Sequence, residues 1–400
     1  MNNTIKLAVA SALLAAASSA SAAGGIVAGD WTIDIGGNVN AYYIYNSSKD
    51  SNVVEGGLAN TTANIQGKKA ATSINTGLLP SWLGFTGKTR QNDLDVEFAI
   101  SLQPGASSGA SLAGGGGTEN RQAYISFGDK SWGTILIGKN LGEFGRDAIL
   151  LDQTLLGVGS QGVVGTAGGT TTTLGRIGTG FIYADFQGQI NYTTPNMNGF
   201  QAVVGVVQPI NTLNLAATSL DSSGSQTQPA FEAKGSYSFA GDVAGKVWAE
   251  VKSQKVDYTA TIDNRATAFG VGANVNVAGF GLVGYYYDAK GAGTTAWLMD
   301  GVAGNGNRRD SNGGYVQGSY TVPGAGTKLA ASWGISKLDA AAGETATTLV
   351  KENEMWTVGA YHPLTKHLNL VAEYSNVQAK NHAGAQNESD ILSAGAILFF

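Results

Sequence analysis

Between residues 93 and 103 every second side chain is apolar. Leu94, Val96, Phe98, Ile100 and Leu102 share one parity, while Asp93, Asp95, Glu97, Ser101 and Gln103 share the other. A strand projects successive side chains to opposite faces, so the segment predicts a strand with one oily and one wet face. Residues 80–90 sort Leu83 and Phe85 against Trp82, Thr86, Lys88 and Arg90, and a turn at Gln91-Asn92 would join the two segments as a hairpin. Residues 366–379 repeat the pattern, with Leu368, Leu370, Ala372 and Tyr374 against Asn369, Glu373 and Ser375. A helical period would scramble this sorting.

Sixteen such segments follow one another: 34–46, 80–90, 93–103, 120–128, 132–140, 186–194, 199–208, 230–240, 242–256, 265–277, 279–290, 312–322, 325–338, 353–363, 366–379 and 389–400. Short connectors such as Gly128 to Ser131, Pro195 to Asn198, Ala240-Gly241, Ala278, Pro323-Gly324 and Leu364-Thr365 alternate with long ones. The long ones are 47–79, 104–119, 141–185, 209–229, 291–311 and 339–352, rich in Gly, Ser, Thr and Asn. An even number of half-oily strands, with tight turns at one end and long loops at the other, is the pattern of an outer-membrane β-barrel. The expected fold is therefore all-β, a 16-stranded antiparallel transmembrane barrel.

Lys6, the apolar stretch Leu7 to Ala17 and the small residues Ala20-Ser21-Ala22 read as an export signal cut before Ala23. That divides the chain into a signal peptide, 1–22, and a barrel domain, 23–400. No segment approaches the roughly 20 continuous apolar residues of a spanning helix. An exported chain without cysteine gains nothing from disulfides, so its stability must come from backbone pairing. The net charge of -5, one unit more negative once Lys6 leaves, excludes a basic face for nucleic acid.

Candidates for chemistry are few. His362 and His367 flank a predicted turn and His382 lies at the opposite strand end, so no histidine meets a nucleophile and a carboxylate, and nothing has metal-ligand spacing. Gly157 to Gly162 spells G-x-G-x-x-G, but that motif cradles a pyrophosphate only between a strand and a helix, a context absent here. Neither enzyme nor cofactor is expected. The low-complexity runs Gly114 to Gly117 and Thr170 to Thr173 read as exposed loop filler.

Several motifs, in order, resemble a known family. Ser81-Trp82-Leu83-Gly84-Phe85-Thr86-Gly87 is similar to its Ser-Arg-Leu-Gly-Phe-x-Gly. Arg121-Gln122-Ala123-Tyr124 with Trp132 to Asn140 is similar to its fourth and fifth strands, and Asn191 to Phe200 to a periplasmic turn. Val358 to Tyr361 with Leu370 to Tyr374 also recurs there, and Ile397-Leu398-Phe399-Phe400 ends on an aromatic. The chain thus resembles the general trimeric porins of Gram-negative bacteria, particularly those of Neisseria and the beta-proteobacteria.

The resemblance implies a homotrimer in outer-membrane lipid and lipopolysaccharide, with Phe400 read by the barrel-assembly machinery. It also implies passive diffusion of small hydrophilic solutes past a third extracellular loop, 141–185, folded into the lumen. That loop carries Glu143, Arg146, Asp147, Asp152 and Arg176. In the family its acidic residues face wall arginines and create a transverse field. Here Trp82 occupies the position often filled by a lumenal arginine. Lys88 and Arg90 share its inward parity and could replace the charge, whereas Asp93, Asp95 and Glu97 tilt the expectation towards cations. Arg121 fits either the rim or the constriction. Two rivals are a substrate-specific channel, with Trp82, Tyr42 or Tyr45 stacking on a solute, and a surface adhesin or enzyme anchored by its barrel.

Overall fold

The computed structural model describes residues 25–61, 67–106, 118–162, 172–222 and 224–400. The expected signal segment, 1–22, and the glycine run 114–117 lie outside them. The strands are β1 (Ile26–Ala28), β2 (Trp31–Ser48), β3 (Ala70–Asn75), β4 (Trp82–Gln91), β5 (Leu94–Pro104), β6 (Thr118–Asp129), β7 (Gly133–Leu141), β8 (Phe186–Thr193) and β9 (Phe200–Val207). They continue as β10 (Ala230–Phe239), β11 (Val243–Asp257), β12 (Asp263–Val277), β13 (Phe280–Lys290), β14 (Asp310–Thr321), β15 (Lys328–Leu338), β16 (Val350–Pro363), β17 (Leu368–Asn381) and β18 (Gln386–Phe399).

Each strand from β4 onward pairs antiparallel with the next, and β18 returns to β2 with Phe399 opposite Asn38. β2 pairs β4 through Thr32 to Asn38, so β2 and β4 to β18 close a wall of sixteen strands. All sixteen expected segments are present, with ends moved by a few residues. Two short strands were not expected. β1 folds back on the start of β2, with Ile26 opposite Ile33, and β3 pairs Tyr42 to Ser47 of β2 above the end of β4. Six and three residues carry too little alternation to stand out.

Closure matters because lipid offers no partner to a backbone amide, and each unpaired group there costs several kcal/mol. Outward positions are apolar, as at Val251, Phe269, Leu282, Val316, Leu329 and Leu392. Aromatic rings gather at the short-turn end, where Phe200 packs 4.5 Å from Tyr237 and Phe280 packs 4.6 Å from Tyr320. Rings with one wet and one oily side suit an interface between lipid and water. Among the described residues no helix is long and apolar enough to cross a membrane.

Two expectations need correction. The β4–β5 hairpin turns at Asn92 and Asp93, with φ of 49° and 63°, rather than at Gln91-Asn92. A two-residue turn of this hand needs φ > 0 at both positions, and Asn and Asp tolerate it best. Asp93 therefore lies in the turn, fully exposed, and not on the inner face of β5. The alternation of long and short connectors also fails twice, because 258–262 and 382–385 are short outer loops. The fifteen-residue strands β11 and β12, and the fourteen-residue β17 and β18, continue their pairing into what would otherwise be loop.

Candidate functional site

Inside the barrel lie the described parts of loop three, residues 142–162 and 172–185, between β7 and the neighbouring β8. It opens with a short helix, α1 (Arg146–Leu151), followed by a 3-10 turn, Gln153–Leu156. Wall side chains complete its polar backbone. The Tyr315 hydroxyl donates to the Ala148 carbonyl at 2.8 Å. Gln317 donates to the Leu151 carbonyl at 3.0 Å and accepts the Gln153 N–H at 2.7 Å. A helix end leaves unpaired carbonyls, and here β14 supplies what water would otherwise supply.

Charged groups fix the root of the loop. Lys234 on β10 places its ammonium 2.7 Å from Glu143 and 3.0 Å from Asp147, and Lys246 on β11 reaches Asp147 at 2.6 Å. Arg146 closes on Glu143 at 2.9 Å. Behind them Glu232 accepts the Glu143 N–H at 2.5 Å and pairs with Lys252 at 2.7 Å, while Glu250 accepts the Gly145 N–H at 2.8 Å. Burial alone would raise the Glu143 carboxyl, but Arg146 and Lys234 outweigh it and hold it below its ordinary value. Burial likewise opposes ionisation of Asp147, and Lys234 and Lys246 reverse the balance.

The far half of the loop reaches strands on the other side. Leu156 accepts the Tyr42 hydroxyl at 2.7 Å on β2, and Val158 and Gly159 donate to Glu373 on β17. Arg176, fully buried, donates to the Met355 carbonyl at 3.0 Å and to Ser332, and lies 3.6 Å from Asp152. Gly180 donates to Ser336 at 3.0 Å on β15. A connection between adjacent strands that bonds β10, β11, β14 to β17 and β2 has one route, through the barrel. Thr173, expected as exposed filler, is buried there and donates to the Val158 carbonyl at 2.8 Å.

Of the residues singled out from sequence, Glu143, Arg146, Asp147, Asp152 and Arg176 belong to this loop. Lys88 and Glu97 form a pair at 3.5 Å on the β4–β5 wall, where Tyr124 donates to Glu97 at 3.1 Å. Trp82 lies opposite Asn38 and so shares its inner face. Arg90, Asp93 and Asp95 sit at the short-turn rim, where Arg90 pairs with Asp95 at 2.7 Å and Asp129 at 2.9 Å. Arg121, near the loop end of β6, pairs with Glu119 at 2.8 Å and lies over the Phe186 ring. Lys234, Lys246, Glu250, Tyr315 and Gln317 were missed. Their inward parity on strands that were expected would have found them, had the charges been paired with those of the loop.

The outer loops interlock above. Asp300 accepts from the N–H of Leu215 and of Ala216, and Arg309 pairs with Glu344. Burial pushes the Asp300 carboxyl up, while Arg309 holds that of Glu344 down against its burial. Among the described residues no group of three or more His, Cys, Asp and Glu could hold a metal ion.

The sequence matches the family model described as Gram-negative porin over residues 8–382. No curated protein sequence matches it. Among solved structures it is similar to the outer membrane channel DcaP of Acinetobacter baumannii, with a TM-score of 0.69 and 17% identity over 94% of this chain and 100% of that one. An anion-selective porin from Comamonas acidovorans gives 0.62 and 15%, covering 92% and 100%. OmpF of Salmonella typhi in complex with daunomycin gives 0.61 and 15%, covering 94% and 99%. At such identity these three speak for the fold alone. The family match, over a closed wall that is oily outside and crossed by its own third loop, decides the rest: the chain belongs to the Gram-negative porins, outer-membrane barrels through which small solutes diffuse.

Proposed function

We propose that the channel is general and passive, with loop three as a fixed size filter and no catalytic step, cofactor or conformational cycle. The observation that carries this is the anchoring of one loop to seven wall strands. A barrier tied at that many points narrows the passage permanently instead of opening and closing over it. Trp82 and the Lys88–Glu97 pair share the inner face of β4 and β5, and Arg90, Asp95 and Asp129 are paired at the short-turn end.

The stacking aromatics of a substrate-specific channel find little support, since Tyr42 is 1% exposed and Tyr45 points outward. The histidines bond separately, His362 with Thr327 and His382 with the Leu338 carbonyl, which gives an anchored enzyme no constellation to work with. The working unit is a homotrimer in outer-membrane lipid and lipopolysaccharide, and Phe400, whose backbone pairs with Gly37, is what the assembly machinery reads. The test is liposome swelling with uncharged sugars of rising mass. A smooth decline of rate with size supports a general pore, whereas rapid uptake of one solute against its size trend supports a specific channel. Light scattering in detergent gives the subunit number.

A further inference from the structure

A second loop enters the barrel. On the connection between β13 and β14, residues 291–309, Ala292, Trp297, Leu298, Val302 and Ala303 are buried. The Trp297 ring meets the Phe144 ring of loop three edge-on at 6.0 Å. The Lys252 ammonium stands 4.9 Å over it, and its indole N–H donates to Gln254 at 3.1 Å, both on the inner face of β11. Tyr183 of loop three donates its N–H to the Thr295 carbonyl at 2.9 Å, so the two loops form one body. The connection between β9 and β10 fastens it from outside: Asp300 accepts from the N–H of Leu215 and of Ala216 and from the Ser219 hydroxyl, and Leu220 donates to the Val302 carbonyl at 2.9 Å. The two sides of the lumen differ accordingly. On β11 to β14 the inner-face residues Gln254, Ala268, Tyr287, Ala289 and Ser311 are buried, with Ser311 bonded to the Gly293 carbonyl at 2.7 Å. On β4 to β7 the inner-face residues Thr86, Lys88, Tyr124, Ser126 and Leu136 keep contact with water.

We propose that the loop 291–309 is a second determinant of the size limit: with loop three it fills the β11–β14 side of the lumen, and solutes pass along the inner faces of β4 to β7. This rests on the reading of the chain as a passive pore, and it adds a part that the reading does not use. The lumen of such a barrel is polar, so a tryptophan and a leucine within it are stable only where other groups cover them. Phe144 and the wall do so, which ties the apolar run of an otherwise Gly- and Asn-rich loop to loop three. Trp297 fills the space, and Asp300 is a positioning residue that holds the loop from outside. A restriction made of packed side chains acts on the cross-section of a solute, whatever its charge.

The test uses liposome swelling with uncharged sugars, read as the ratio of the rate for a trisaccharide to that for a pentose. The ratio does not depend on how many channels fold, so a loss of stability alone leaves it where it was. Replacing 294–299 by two glycines raises it severalfold, Trp297→Ala raises it less, Asp300→Asn moves it in the same direction, and Trp297→Phe keeps it near the wild type. The chain has no cysteine, so single cysteines report the route. Ser126→Cys on β6 reacts with a bulky uncharged maleimide and lowers the single-channel current. Ala289→Cys on β13 is silent in the wild-type background and reacts once the loop is shortened. If the shortened loop gives no channels, Trp297→Ala and Asp300→Asn decide. An unchanged ratio in variants that form channels, a Ser126→Cys channel that the reagent leaves untouched, or an Ala289→Cys channel blocked in the wild-type background overturns the assignment. A wild-type protein that passes no sugar overturns the pore itself, and this assignment with it.

Discussion

One carboxylate oxygen of Glu373, on β17, accepts the backbone N–H of Val158 at 2.7 Å and of Gly159 at 2.9 Å, joining a wall strand to the far half of loop three. The other oxygen accepts the Tyr361 hydroxyl at 2.6 Å. A Cβ on Gly157 would collide with that carboxylate, so the glycine is what lets it approach. The run that spells the nucleotide motif, set aside from sequence for want of a strand-to-helix context, instead turns two backbone N–H groups on the protein's own Glu373 carboxylate.

Replacing Glu373 by Gln keeps the shape but sets an amide NH2 among three donors. The expected loss is about 1–3 kcal/mol of loop docking, the cost of leaving buried donors unpaired. The passage then widens intermittently, and single-channel recordings show larger and noisier current steps with the reversal potential unchanged. Traces indistinguishable from the wild type would mean that the far half of the loop is held without this bond.

Lys234 is the cation shared by Glu143 and Asp147, and all three side chains are buried. Lys234→Met takes the shared ammonium from both carboxylates and leaves Glu143 to Arg146 and Asp147 to Lys246, so the loss should fall below the about 3–5 kcal/mol of a buried charge left with no partner at all. Equilibrium unfolding in urea measures it. Adding Glu143→Gln to Lys234→Met recovers part of the loss, because one of the two buried acids left short of positive charge is removed as well. A double variant as unstable as the sum of the two singles would contradict the coupling.

The wall was legible in the sequence because period two and turn chemistry are local. Leu94 to Leu102 alternate whatever the rest of the chain does, and Asn198-Gly199 marks its own turn. β3 escaped because six residues interrupted by 76–81 carry no period. The loop's acids could be named, since the order of motifs placed 141–185 third. Their partners could not, because Lys234 and Lys246 meet Asp147 across 87 and 99 residues of chain, a distance over which no local pattern speaks. Asp95 and Glu97 could be counted from sequence, but which charges face water depends on pairing across such distances.

The Glu143 carboxyl is held below its ordinary value by Arg146 and Lys234 against its burial. The unfolded chain therefore binds this proton more readily than the folded one, so the contribution is complete above the unfolded value, about 4.3, and disappears as pH falls through the lower folded value. Compared by thermal unfolding, the gap between the wild type and Glu143→Gln stays constant above roughly pH 5 and closes only below about pH 4. A gap that closes between about pH 6 and pH 7 would show that the cations do not govern this group.

Barrel closure ends on one pair of backbone bonds, in which Gly37 donates to the Phe400 carbonyl at 3.0 Å and accepts the Phe400 N–H at 3.1 Å. A Cβ at Gly37 would run into the Trp82 carbonyl and the Phe400 ring, so a larger residue pushes β2 from β4 and from the carboxy-terminus together. Gly37→Val should leave the strands at this seam partly unpaired, and each open amide in lipid costs several kcal/mol. The expected result is a severalfold smaller folded fraction, read as the share of protein that runs with the compact mobility of an unheated barrel on a gel. Gly37→Ala, with one carbon to place, should lie between. Removing Phe400 loses the same two bonds without the clash, so a Phe400 deletion that folds as well as the wild type while Gly37→Val fails would assign the defect to crowding against Trp82 and not to the seam.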